Sequence, residues 1–100
     1  MAYQTKNAAS DYSNVKAFTG TGQAKTVSAT SVAFTALPVC AGVRVDAEVD
    51  VWVEVGNVAV VATSTHIFAG QSEYIKAGEG DVVHILAASS AGLAYVRPFQ

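Results

Sequence analysis

The chain has 100 residues, enough for one hydrophobic core and too few for a second domain. Its 51 % hydrophobic content comes largely from eighteen alanines and sixteen valines, and only 14 % of residues are charged. That is a strand composition with too little charge for an intrinsically disordered chain. A net charge of -2, with six scattered basic residues, excludes a surface that binds nucleic acid by counterion release.

Residues 1–25 are rich in Ala, Ser, Thr, Asn, Gln and Gly, with Gly20-Thr21-Gly22 as punctuation, and only Val15-Lys16-Ala17-Phe18 is strand-like. They read as a partly extended N-terminal arm preceding a strand domain over 26–100. No apolar stretch follows Lys6, so no secretory signal is expected, and no run approaches the roughly 18 apolar residues of a membrane span. From Lys25 a period of two sets in. Val27, Ala29 and, after a slip, Val32 and Phe34 are the inward candidates, and Pro38 ends the segment because it cannot donate to a ladder. The single cysteine, Cys40, cannot close an intramolecular disulfide; it reads as a small buried hydrophobe in a chain that folds in a reducing cytoplasm.

The strongest pattern runs from Gly42 to Gly56. Val43, Val45, Ala47, Val49, Val51, Val53 and Val55 take every odd position, and Arg44, Asp46, Glu48, Asp50, Trp52 and Glu54 every even one. Alternate side chains face opposite ways in a strand, so one face is core and the other meets water or a partner. A straight strand from Val43 to Val55 would reach roughly 43 Å, too long for so small a domain, which predicts a corner near Ala47–Val49 and two strands in different sheets. Gly56-Asn57 predicts a tight hairpin turn with Val58–Ala62 as the returning strand.

Thr63-Ser64-Thr65 reads as loop and His66-Ile67-Phe68 as a short apolar piece. Ser72–Lys76 is a further strand, ended by the turn Ala77–Asp81. Val82–Ala87 is apolar on both faces, as a central strand is. Ser89–Gly92 reads as a hairpin loop with Leu93–Val96 returning, and Pro98 closes the last strand near an edge. Seven or eight short strands with no helical period predict an all-β fold, an antiparallel β-sandwich or jelly roll.

No constellation carries a reaction, and no enzyme is expected. The acids Asp46, Glu48, Asp50 and Glu54 would sit about 7 Å apart along one face, which suits separate charges, solvated or meeting basic groups of a partner, better than a calcium site or a glycosidase pair. His66 and His84 lack the spacing of a metal-binding pair. Ser89 and Ser90 lack a base, and Gly78-Glu79-Gly80-Asp81 lacks the lysine and helix of a phosphate loop. Neither cofactor nor metal is expected. Trp52 stands on the charged side of its strand, and with Tyr74, Tyr95 and Phe99 it makes a candidate anchor set for an interface.

Val51-Trp52-Val53-Glu54-Val55-Gly56, Ala62-Thr63-Ser64-Thr65, Gly70-Gln71-Ser72-Glu73-Tyr74-Ile75, Gly80-Asp81-Val82-Val83-His84-Ile85 and Gly92-Leu93-Ala94-Tyr95-Val96 follow one another within Gly42–Gln100. This block resembles small virion structural proteins of tailed bacteriophages, those of the head-decoration or cement type. The resemblance implies a β-sandwich that forms a dimer or trimer and binds the major capsid protein of the assembled head. The virion would be put together in the host cytoplasm, with the chain binding neither nucleic acid nor membrane. A tail, fibre or baseplate component and a carbohydrate-binding sandwich used in attachment are the alternatives, the latter with Trp52 or tyrosines as stacking platforms.

Overall fold

The structure, a computed structural model, describes residues 18–61 and 64–100. The expected arm up to Ala17, with most of its strand-like piece, lies outside the described residues. Eight strands and no helix are found among the described residues: β1 (Gln23–Val27), β2 (Val32–Ala33), β3 (Gly42–Ala47), β4 (Val51–Val55), β5 (Thr65–Ile67), β6 (Ser72–Lys76), β7 (Val83–Ala87) and β8 (Gly92–Phe99). They form two four-stranded antiparallel sheets, ordered β1-β8-β3-β6 and β2-β7-β4-β5. Each early strand pairs with its counterpart counted from the other end: β1 with β8, β2 with β7, β3 with β6, β4 with β5. The β3–β8 and β4–β7 pairings join these ribbons into sheets. The expected all-strand antiparallel architecture is therefore present.

Period-two patterning builds the core. Val27, Val43, Val45, Ala94 and Val96 from the first sheet meet Val51, Val53, Ile67, Val83 and Ile85 from the second in one buried cluster, which Phe34 and Leu37 complete. Each fully buried valine contributes about 1.5 kcal/mol or more from apolar area removed from water. Of the inward candidates after Lys25, Val27 and Phe34 are buried, Val32 is half-buried and Ala29 is exposed. Ala29 lies in the connection from β1 in one sheet to β2 in the other, where no alternation operates.

The expected corner falls at 48–50, and it sends β3 and β4 into different sheets. Its backbone is tied on every side. Glu48 N donates to Leu93 O (2.9 Å), Ala88 N to Asp50 O (2.8 Å) and Gly70 N to Ala47 O (3.0 Å). Val49 packs on Gly92 so closely that a Cβ there would lie 2.7 Å from Val49 Cγ1.

Four expectations are corrected. Gly56 does turn the chain, at φ +89°, but residues 58–61, the described part of the expected returning strand Val58–Ala62, form no strand; β5 pairs with β4 instead, Ile67 opposite Val51 and His66 opposite Trp52. Adjacent Val60 and Val61 cannot both face inward, whereas the alternation Thr65-His66-Ile67 matches β4 residue for residue. Thr65, read as loop, thus begins a strand. Ser89–Gly92 is not a hairpin, because β7 and β8 belong to different sheets. Pro98 lies in an interior strand, between β3 and the β1 side. Its carbonyl accepts from Thr19 N (3.0 Å), so its nitrogen faces that same side, beyond the last β1 pairing at Gln23–Val96, and no ladder bond to β3 is lost.

Candidate docking surfaces

With the valines inside, the chemistry lies on the two outer faces and one loop. On the β2-β7-β4-β5 sheet, Trp52 is half-buried between Leu86 of β7 and His66 of β5. The indole and the His66 ring are 4.5 Å apart, tilted, and Phe68 meets the same imidazole edge-on, also at 4.5 Å. Phe68 remains 58 % exposed. The result is an aromatic row, Trp52-His66-Phe68, ending in solvent. His84 lies opposite Glu54 on the same face. Both histidines share this sheet, yet β4 runs between their strands, and no three His, Cys, Asp or Glu side chains among the described residues converge as a metal site would require.

The four acids of the alternating segment do not form one row, since the corner divides them. Asp46 lies on the outer face of the first sheet, in an ion pair with Arg44 Nε (3.3 Å), and accepts from Ser72 Oγ. Glu48 accepts from Leu93 N (3.3 Å), and Tyr95 OH reaches its other oxygen at 3.5 Å. Asp50 accepts from Ala69 N (2.8 Å), which tethers the turn after β5. Glu54 alone stands on the second sheet's outer face. Three of the four thus satisfy groups of the chain itself.

The outer face of the β1-β8-β3-β6 sheet carries Tyr74 and Tyr95. Phe99 is buried, its ring lying over Gly42, and Tyr74 meets it edge-on at 5.4 Å. Beside them the register sets Arg44 directly opposite Arg97. Arg97 rests on the Phe18 ring with its guanidinium carbon 4.9 Å from the centroid, a cation–π contact. Phe18, Ala24, Arg44, Asp46, Tyr95 and Arg97 line a depression of about 380 Å³. Sequence reasoning did not single out the arginines. Their juxtaposition comes from a β3–β8 register that no local pattern encodes.

The loop from β4 to β5 exposes Val58, Val60 and Val61, at 61 %, 49 % and 53 %. Among the loop's described residues, Ala59 alone is buried, its N–H donating to Ser31 Oγ (3.3 Å). Cys40 is half-buried with Sγ toward Ala77 O at 3.8 Å. Ser89 and Ser90 are exposed in the connection between sheets. Gly78–Asp81 closes as a turn, with Asp81 Oδ2 accepting from Gly78 N (2.8 Å) and Gly80 at φ +85°. No helix among the described residues is long and apolar enough to cross a membrane.

Comparison with models of protein families, with curated proteins and with solved structures finds no match. The surfaces themselves therefore carry any functional reading. They offer aromatic rings, small apolar side chains and paired arginines on rigid sheets, a composition suited to contact with another macromolecule.

Proposed function

We propose that this chain is a structural protein of a tailed-phage virion, a head-decoration protein that self-associates and docks on the major capsid protein. The observation that carries this reading is the display of large apolar groups on so small a chain: Val58, Val60 and Val61 on one loop, with Phe68, Tyr74 and Tyr95 on the sheet faces or beside them. Scattered exposed hydrophobes need no explanation, but three valines on one loop, together with an aromatic row on the outer face of the same sheet, favour covered surfaces. The strand order supports the finer architectural reading. Pairing each strand with its counterpart from the other end is the pattern of a ribbon rolled into two sheets, a jelly roll, an architecture found in viral capsid and lectin domains. Many copies of a modest interface reinforce one another on a shell, because each bound contact raises the effective concentration for the next.

The test uses heads assembled without the protein. Added chain sediments with the heads at a saturable stoichiometry, and the decorated heads keep their DNA at temperatures where bare heads release it. Binding to tails instead, or heat release unchanged by saturation, overturns the cementing role. The Trp52-His66-Phe68 row favours a second reading, a sugar-stacking platform in attachment. A sugar-specific signal on a glycan array, lost in Trp52→Ala, would select it over decoration.

A further inference from the structure

We propose that the depression on the outer face of the β1-β8-β3-β6 sheet is a site for an acidic side chain of a partner polypeptide, anchored by Arg97. It deepens the docking reading above by naming the partner's chemistry, and rests on that reading only for which protein supplies the acid.

The argument begins with a charge imbalance. Residues directly opposite on antiparallel strands have Cβ atoms about 5 Å apart, and like charges there are destabilising. Arg44 and Arg97 are such a pair. Arg44 is compensated by Asp46 and donates to Ser72 Oγ at 3.2 Å. Arg97 meets no carboxylate among the described residues and rests on the face of Phe18. A planar fork of donors with no acceptor among the described residues, in a concavity near the lower end of the roughly 300–1,000 Å³ typical of ligand sites, is suited to a carboxylate.

Charge and lining narrow the ligand. Among the residues that line the depression, two guanidiniums against the single Asp46 carboxylate leave one positive charge, which a monoanion neutralises. A phosphate dianion would face Asp46, with Glu48 close by at the Tyr95 hydroxyl. Phe18, Tyr95 and Ala24 supply apolar walls for the methylene stem of a Glu or Asp side chain. A sugar would find few uncommitted polar partners. Gln23 takes the Thr35 N–H at 2.7 Å and gives to the Thr35 carbonyl at 3.0 Å, so both ends of its amide are already held by the chain, and Asp46 is used by Arg44 and Ser72. A second depression, about 410 Å³ and lined by Thr21, Thr35, Leu37 and Pro38 among others, adjoins the first across Gln23. The two together offer room for an extended segment rather than a point anion.

The experiment is an NMR titration of the isotope-labelled chain with a capped peptide carrying one Glu among small apolar residues, its Gln counterpart, inorganic phosphate and glucuronate. The Glu peptide moves the Arg97 side-chain resonance together with Ala24 and Tyr95. The Gln peptide, and the Glu peptide on Arg97→Gln, bind at least tenfold more weakly, while the rest of the variant's spectrum stays in place. Equal binding of the two peptides, unchanged binding to Arg97→Gln, or phosphate or glucuronate binding as tightly as the Glu peptide overturns the assignment. Head sedimentation separates this from the decoration reading. Arg97→Gln binding heads as well as the parent sinks the acidic-partner site alone; peptide binding with no affinity for heads sinks the decoration reading alone.

Discussion

Gly42→Ala unfolds roughly 10 to 20 °C below the parent chain, the shift that a loss of about 2–3 kcal/mol produces in a domain of this size. Gly42 sits in β3, inside a sheet, where a Cβ would lie 2.5 Å from the Ile75 carbonyl oxygen and 2.7 Å from the Phe99 ring. The first neighbour is β6 backbone and cannot rotate away, so β6 must shift, and Phe99 must also leave its seat and lose its edge contact with Tyr74. The small gain from restricting the unfolded chain, about 0.4–1 kcal/mol, does not offset this. Gly78→Ala is the matched control. Its Cβ meets nothing closer than Asp81 Oδ2 at 4.0 Å, so its melting temperature stays within a few degrees of the parent. Thermal unfolding followed by circular dichroism measures both, and equal melting of Gly42→Ala and the parent would show that no ring covers Gly42.

Ile85→Ala costs about 3–4 kcal/mol, and the next residue, Leu86→Ala, about 1 kcal/mol. Ile85 is fully buried in β7 between β2 and β4, so truncation leaves a cavity at the centre of the two-sheet core. Leu86 points outward beside Trp52 and is only half-buried. A typical domain is stable by only 5–15 kcal/mol, so the first variant loses a large share of its folded population under mild denaturant and the second does not. Similar losses at both positions, read from urea unfolding with unchanged slope, would contradict the assignment of faces.

The alternation from Val43 to Val55 was legible as two strands because its length exceeded what a small domain can hold straight; that length implies a corner near Ala47–Val49, and the structure places it at 48–50. Val82–Ala87 was legible as central from its apolar character on both faces. The misreadings share one cause. Gly56-Asn57 and Ser89–Gly92 carry hairpin chemistry, but turn residues do not state which sheet the next strand joins, and the β4 partner was decided by Ile67 filling the core opposite Val51. The same limit applies to the surfaces. Trp52 stood out because it interrupts a charged row, and Asp46, Glu48, Asp50 and Glu54 because they alternate. That His66 would stack on Trp52, or Arg97 face Arg44, depends on register between segments far apart in the chain, which the pattern within either segment does not contain.

Docking on the outer faces presupposes two sheets, paired as described, closed over the valines. Amide hydrogen exchange resolved by residue tests this most directly. The account predicts the slowest exchange at Val43, Val45, Val51, Val53, Ile85 and Val96, all in interior strands, and fast exchange at Val58 and Val61. Strong protection of Val58 and Val61, matching that of β4, would restore the simple hairpin and contradict the pairing from which both docking faces are built.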